Sequence, residues 1–188
     1  MKTNKQTSSN NPIYEIRISN GDSDYMREEL DYFLESNELI FVAGHKRYSF
    51  PTNLTLDLDS FDNWESVEKY LSKQGYKHIQ PVYMYEHGMI AFSLNNFSCR
   101  FDSGQLGFIA STKKGRKGQK AYKLYSQFLK DLQDYSNNNA KRIELIDENG
   151  EQIEFIECFD NRLSENIKFI KKTYKNAIIK EVNNSDSY

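Results

Sequence analysis

The chain has 188 residues, which is enough to bury one core of ordinary size, and its 25 basic and 27 acidic side chains leave a formal charge of −2. A molecule with this balance does not attract polyanions through its overall charge, so any contact with nucleic acid has to come from a local surface. The chain has only two cysteines, its amino-terminal segment is polar, and it contains no run of about 20 apolar residues. We therefore predict a reduced, cytoplasmic protein that does not enter a membrane.

Both ends of the chain are polar and aperiodic, and we expect residues 1–11 and 183–188 to be disordered tails on a single domain that spans residues 12–182. Alternating apolar and polar residues predict strands, and apolar residues three or four positions apart predict helices. The elements predicted in the first half are a strand at 14–19, a helix at 24–36, a strand at 38–44 and a helix at 62–75. Asp62 followed by Glu65 has the pattern of a capping box at the start of the last of these helices.

The second half of the chain predicts more strands than helices. Three short segments have the pattern of a meander, and Asn149-Gly150 is typical of the turn of a hairpin. The predicted elements are strands at 78–86, 89–94 and 105–112, a helix at 121–135, a hairpin over 142–159 and a helix over 166–182. Together they predict an α+β fold, with a mainly antiparallel sheet (meander plus hairpin) and three to four helices packed on one face.

The stretch NNFSCRFDSGQLGFIAST, residues 95–112, concentrates unusual side chains between two predicted strands. One interpretation is structural: Asp102 hydrogen bonds to the backbone amide of Ser103 or Gly104, and Gly104 adopts a positive φ angle. Cys99 is then a buried thiol that needs no chemical role. The side chains expected to anchor this loop are Phe97, Phe101 and Phe108.

A cysteine-dependent hydrolase or small nuclease is an alternative interpretation of the same stretch. Cys99 would be the nucleophile, His45 or His87 its base, and Asp102 the residue that orients the base. A strand extends by about 3.3 Å per residue, so a turn at His87 and the far end of the following strand are expected to be roughly 15 to 20 Å apart. The sequence therefore predicts that His87 does not contact Cys99. No metal-ligand spacing is present, and we predict neither a metal nor another cofactor.

The segment STKKGRKGQKAYK, residues 111–123, is strongly basic and contains no acidic residue. Its two glycines allow a close approach of the backbone, and the helix that follows offers the positive end of its dipole to a phosphate. Tyr122 and Tyr125 would add stacking surface for unpaired bases. The basic residues of the segment are Lys113, Lys114, Arg116, Lys117, Lys120 and Lys123.

A second basic set lies on the last predicted helix, where Lys168, Lys172 and Lys175 are expected to point outward. If that helix packs beside residues 111–123, the two sets form one basic face on an acidic molecule. This asymmetry predicts RNA or a ribonucleoprotein as the partner and a protein without enzymatic activity. A protein-only inhibitor that uses the acidic residues between positions 57 and 68 is a further alternative.

Five stretches resemble a family of small accessory proteins of bacteriophages and mobile elements: LIFVAGHKRY, DNWESVEKYL, PVYMYEHGMIAFSL, FSCRFDSGQLGFI and DENGEQIEFIECF. The fourth is similar to the family pattern Phe-Ser-Cys-Pro-Trp-Asp-Ser-Gly-Gln-Val-Gly, with Arg100-Phe101 in place of Pro-Trp. The resemblance implies a phage setting and an anti-CRISPR-like role against a host CRISPR-type ribonucleoprotein. The residues that match in register are Cys99, Asp102, Ser103, Gly104, Gln105 and Gly107.

Overall fold

The computed structural model describes residues 13–112 and 118–181, so the predicted tails lie outside the described residues. The chain divides into two compact units. Unit 1 takes its described residues from 13–22 and 140–181, and unit 2 consists of residues 23–139. Unit 2 is therefore an insertion within unit 1, and the single domain predicted over residues 12–182 stays a prediction.

The elements confirm the predicted α+β class. Those of unit 1 are strand β1 (Tyr14–Asn20), strand β6 (Ala140–Ile146), strand β7 (Gln152–Phe159), helix α4 (Leu163–Thr173) and strand β8 (Ala177–Glu181). Those of unit 2 are helix α1 (Ser23–Ser36), strand β2 (Leu39–Ala43), helix α2 (Trp64–Gln74), strand β3 (Lys77–His87), strand β4 (Met89–Ser93), strand β5 (Ser103–Ser111) and helix α3 (Gln119–Ser136).

The sheet of unit 1 has the strand order β7-β6-β1-β8. Strand β1 runs antiparallel to β6 and parallel to β8, and α4 covers one face, where Ile170 packs against Ile16 and Ile143. Within unit 1, the two segments that flank the insertion are joined, because the Gly21 amide donates a hydrogen bond of 2.9 Å to the Ala140 carbonyl.

The prediction of one helix over residues 166–182 was wrong, because α4 ends at Thr173 and the chain returns as β8. Tyr174 leaves the helical conformation with φ −111° and ψ 82°. Residues 177–181 then pair with β1, with Ile179 opposite Ile16. Two adjacent isoleucines favour a strand as soon as a partner strand supplies the backbone hydrogen bonds.

The sheet of unit 2 has the strand order β2-β5-β3-β4, so the predicted meander is not formed. Strand β5 pairs with β3, not with β4, and segment 94–102 carries the chain from β4 to the opposite side of β3. Ser103, the first residue of β5, lies opposite Tyr85 near the end of β3. This crossing decides the geometry of the candidate site below.

Helices cover both faces of the unit 2 sheet, in contrast to the predicted single face. Successive side chains of a strand point to opposite faces. Ile40 and Val42 accordingly pack against α2, while the ring of Phe41 meets that of Phe128 on α3 at a centroid distance of 5.1 Å. The start of α2 also differs in detail: the capping box is formed by Asn63 and Ser66, one residue beyond the predicted pair.

Within the described ranges, no helix combines the length and the hydropathy needed to cross a bilayer.

Candidate functional site

Three of the sequence stretches with a family resemblance meet around one cleft of unit 2. The cleft has a volume of about 260 Å³ and is lined by the turn after β2, the end of β3 and the loop before β5. We call it the loop cleft. The polar side chains that line it include His45, Arg47, Glu86, Asp102 and Gln105.

Asp102 connects the cysteine and the histidine that the sequence placed apart. The Cys99 thiol donates to the Asp102 carboxylate with an Sγ to Oδ2 distance of 3.4 Å. The Nδ1 atom of His87 lies 3.4 Å from the same oxygen. The predicted separation of roughly 15 to 20 Å between His87 and Cys99 was wrong, although no direct contact between the two side chains occurs among the described residues. The loop does not continue away from the hairpin, because the Glu86 amide donates to the Asp102 carbonyl at 2.8 Å and holds the loop beside the turn.

The order of these three side chains differs from that of a thiol triad. In such a triad the imidazole contacts the sulfur and the carboxylate orients the imidazole. Here the Asp102 carboxylate lies between Cys99 and His87, and both contact the same oxygen. In this arrangement Asp102 fixes the loop to the hairpin turn, and no basic side chain contacts the Cys99 thiol among the described residues.

The loop itself is closed by different bonds from those predicted. The Ser103 hydroxyl donates to the Cys99 carbonyl, and no contact of Asp102 with the amides of Ser103 or Gly104 occurs among the described residues. Gly104 does not have a positive φ angle, and strand β5 already begins at Ser103. The expected anchor Phe101 is 99% exposed.

A second carboxylate fixes the other wall of the loop cleft. Glu86 accepts hydrogen bonds of 2.6 Å from both Arg47 and the Tyr48 hydroxyl. The bond to this carboxylate raises the pKa of Tyr48, and partial burial of the phenol acts in the same direction. The His45 ring stacks on Tyr48 at a centroid distance of 5.0 Å. Sequence reasoning did not assign a role to Arg47, Tyr48 or Glu86; the resemblance of the HKRY turn was the only signal.

At Gly107, the backbone of the neighbouring strand leaves no room for a side chain. A Cβ atom added there would collide with the Val42 carbonyl oxygen and would lie 2.8 Å from the Val42 carbonyl carbon and 2.9 Å from the Ala43 Cα. At Gly104 a Cβ atom would meet nothing within 4 Å. Gln105 donates to the Gly107 carbonyl at 3.3 Å, which keeps its side chain along the strand.

The amino-terminal half of α3 presents the described part of the predicted basic segment. Lys113, Lys114, Arg116 and Lys117 lie outside the described residues, whereas Lys120 and Lys123 are exposed. The structure exposes one of the two tyrosines that were predicted to offer stacking surface. Tyr122 is 48% exposed, but Tyr125 is buried and its hydroxyl donates to the His78 carbonyl at 3.0 Å.

The exposed side of α3 forms a continuous polar strip that we call the α3 surface. A shallow cavity of about 560 Å³ lies along it, and none of its lining residues is acidic. A second cavity of about 200 Å³ lies on the β4 side of Tyr122, so this ring separates the two. The residues of the α3 surface are Gln119, Lys120, Tyr122, Lys123, Ser126, Gln127 and Lys130.

The predicted second basic set belongs to unit 1. Lys168 and Lys172 are exposed on α4, and the exposed Lys175 lies in the turn after the helix, not on it. Phe169 lies between the two helical lysines and is 64% exposed. The predicted contact of this set with the basic segment of unit 2 stays a prediction.

Known protein families, curated proteins and solved structures contain no match to this chain. Among residues 13–112 and 118–181, no three histidine, cysteine, aspartate or glutamate side chains are arranged to hold a metal ion.

Proposed function

We propose that the protein binds single-stranded RNA, alone or within a ribonucleoprotein, through the α3 surface and the basic segment that precedes it. The observation that carries the proposal is the exposed Tyr122 ring, which lines one cavity together with Lys123 and Lys130. An aromatic ring flanked by ammonium groups is the combination that binds unpaired nucleotides, because bases stack on the ring and phosphates pair with the cations.

The dimensions of the α3 surface suit a short stretch of nucleotides. Lys120 and Lys130 are ten positions apart, which corresponds to about 15 Å along a helix axis. The two acidic residues of the carboxyl-terminal half, Asp131 and Asp134, are buried and do not interrupt this surface. The first turn of α3 contains no acidic residue either, so its dipole adds to the attraction of a phosphate.

The resemblance to phage accessory proteins supports a more specific target, a host ribonucleoprotein of the CRISPR type that the protein would inhibit. Guide RNA in such complexes is held by basic protein surfaces, and a competing protein has to contact RNA, its protein carrier or both. An α+β protein with a local basic surface and a net negative charge fits this role. The target is part of the proposal and is tested separately from RNA binding.

Fluorescence anisotropy with a labelled single-stranded RNA of about 12 nucleotides tests the proposal. We expect salt-sensitive binding that weakens in the double variant Lys120→Gln/Lys123→Gln. Removal of two phosphate contacts is expected to reduce the slope of log K against log salt by about 1.4, since each contact on a single strand contributes about 0.7. Tyr122→Ala is expected to weaken binding by about 1–3 kcal/mol without changing that slope.

A matched control removes the same charge elsewhere in unit 2. Lys69 and Lys73 are exposed on α2, and the variant Lys69→Gln/Lys73→Gln is expected to bind RNA as the unmodified protein does. An equal loss in both double variants would show that only the overall charge matters. Absence of binding at about 20 mM salt, where counterion release is strongest, would refute the proposal.

A cysteine-dependent hydrolase or nuclease is the second candidate function. The observation in its favour is that Asp102 contacts both Cys99 and His87. Cys99→Ala decides between the two, because the RNA-binding proposal predicts unchanged binding and unchanged inhibition of the target, whereas a thiol enzyme would lose its activity completely. Circular dichroism of the variant verifies that it folds.

A further inference from the structure

A larger cavity of about 620 Å³ lies in unit 2 between the turn after β2 and the start of α2. We call it the Trp64 cavity, after the single tryptophan of the chain, which lines it. Cavities of this size accommodate a small ligand or an extended side chain. Its apolar wall includes Leu56, Leu58, Phe61 and Trp64, and its polar wall includes Asp57 and Asp59.

The surroundings of the Trp64 cavity are strongly acidic. Residues 57–68 carry five carboxylates and no basic side chain. Asp57 and Asp59 are exposed, and neither forms an ion pair within the part of the chain that the structure describes. Lys46 is the one lysine or arginine among the lining residues. A phosphate or carboxylate ligand would be repelled from this wall, whereas a cation would be attracted.

We infer that the Trp64 cavity binds an exposed arginine side chain of a protein partner. The methylene groups of an arginine would pack along the leucines, while the planar guanidinium would stack on the indole ring and form a forked pair of hydrogen bonds with an aspartate. A lysine has the same charge but cannot form the forked pair, and its more strongly hydrated ammonium loses more on leaving water.

The partner surface defined by this chemistry is basic and rich in arginine. Protein surfaces that bind RNA have this composition, so the Trp64 cavity would contact the protein component of a ribonucleoprotein. The inference does not depend on RNA binding by the α3 surface, because it involves a different set of residues and the opposite charge.

Intrinsic fluorescence measures occupation of this cavity directly, since Trp64 is the only tryptophan. The probes are blocked peptides of four arginines, four lysines or four citrullines, the last of which keep the shape of arginine without its charge. We expect the arginine peptide to change the Trp64 emission in a saturable manner, the lysine peptide to bind at least tenfold more weakly, and the citrulline peptide to have no effect.

Two variants of equal charge distinguish the cavity from general electrostatic attraction. The variant Asp57→Asn/Asp59→Asn is expected to bind the arginine peptide at least tenfold more weakly, while its RNA binding stays unchanged. The control Glu148→Gln/Glu151→Gln removes two carboxylates from the β6–β7 turn of unit 1 and is expected to bind the arginine peptide as the unmodified protein does.

Three results would overturn the inference. They are no emission change at millimolar arginine peptide, equal binding of the lysine or citrulline peptide, and an equal loss of affinity in the control variant. Circular dichroism and the unfolding midpoint of each variant establish that a lost response does not come from a lost fold.

Discussion

Among substitutions that add one methyl group to the FSCRFDSGQLGFI stretch, Gly107→Ala is expected to destabilise unit 2 the most. The added Cβ would overlap the Val42 carbonyl oxygen on the neighbouring strand. Because the colliding atoms belong to the backbone, no side-chain rotation can relieve the contact. Strands β2 and β5 would have to separate, and the five residue pairs from Leu39–Ser111 to Ala43–Gly107 would be strained.

The magnitude follows from the cost of overpacking. Extra methyl groups in a well-packed core cost about 1–3 kcal/mol when side chains can adjust. With a rigid backbone as the obstacle, we expect about 3 kcal/mol or more, which corresponds to a fall of roughly 1–3 M in the urea midpoint for an m value of about 1–3 kcal/mol/M. The free energy of unfolding of a natural domain is about 5–15 kcal/mol, and this one substitution would remove part of it.

Trp64 emission is a suitable probe because the indole packs against Phe108, the neighbour of Gly107, at a ring-centroid distance of 5.9 Å. The matched control is Gly104→Ala in the same stretch, where the new methyl group meets nothing within 4 Å. We expect its midpoint to stay the same or to rise slightly, since alanine restricts the unfolded chain. Equal midpoints for Gly107→Ala and the unmodified protein, or equal losses in both variants, would refute the reasoning.

Three further substitutions or modifications test separate contacts of the structure. Asn63→Ala removes the side chain that caps α2 and is expected to cost about 1 kcal/mol in urea unfolding, whereas Asp62→Ala is expected to be neutral. Tyr125→Phe removes a buried hydrogen bond to a backbone carbonyl, and we expect a loss of about 1 kcal/mol that thermal unfolding can measure; an unchanged midpoint would contradict that bond. Burial raises the pKa of Cys158, so a water-soluble thiol reagent at pH 8 is expected to label the half-buried Cys99 first and Cys158 only on unfolding; equal labelling rates in the native protein would contradict this order.

Local patterns predicted most of the elements, because local bonds decide them. The hairpin of β6 and β7 is an example: alternation defines both strands, and Gly150 adopts the positive φ angle of 85° that the turn requires. The end of α2 is another, since Gly75 has a left-handed conformation and closes the helix.

Several of the failures concern contacts between residues that are distant in sequence. Ile178 fits the spacing of a helix and of a strand equally well, and the choice is made by pairing with β1 at the other end of the chain. Tyr122 and Tyr125 are three positions apart on α3, and only the tertiary structure buries one and exposes the other.

The short distance between Cys99 and His87 was not predicted, for a related reason. The predicted distance follows β4, whereas the strand order of the sheet returns the loop to the end of β3. Nothing in residues 94–102 specifies on which side of β3 the next strand will pair. Three of the residues that resemble the family pattern nevertheless lie together, since Asp102, Ser103 and Gln105 all line the loop cleft.

The insertion of unit 2 within unit 1 has a consequence for the order of events on the ribosome. Strand β1 is synthesised early, but its partners β6 and β8 emerge only after residue 140, whereas unit 2 is complete by residue 139. We therefore expect unit 2 to fold before β1 pairs with β6 and β8. Pairing of β1 with β6, next to the bond from the Gly21 amide to the Ala140 carbonyl, therefore has to close a loop that contains the whole inserted segment. Because the entropy cost of closing a loop rises only with the logarithm of its length, a long insertion adds little to the cost of forming this sheet.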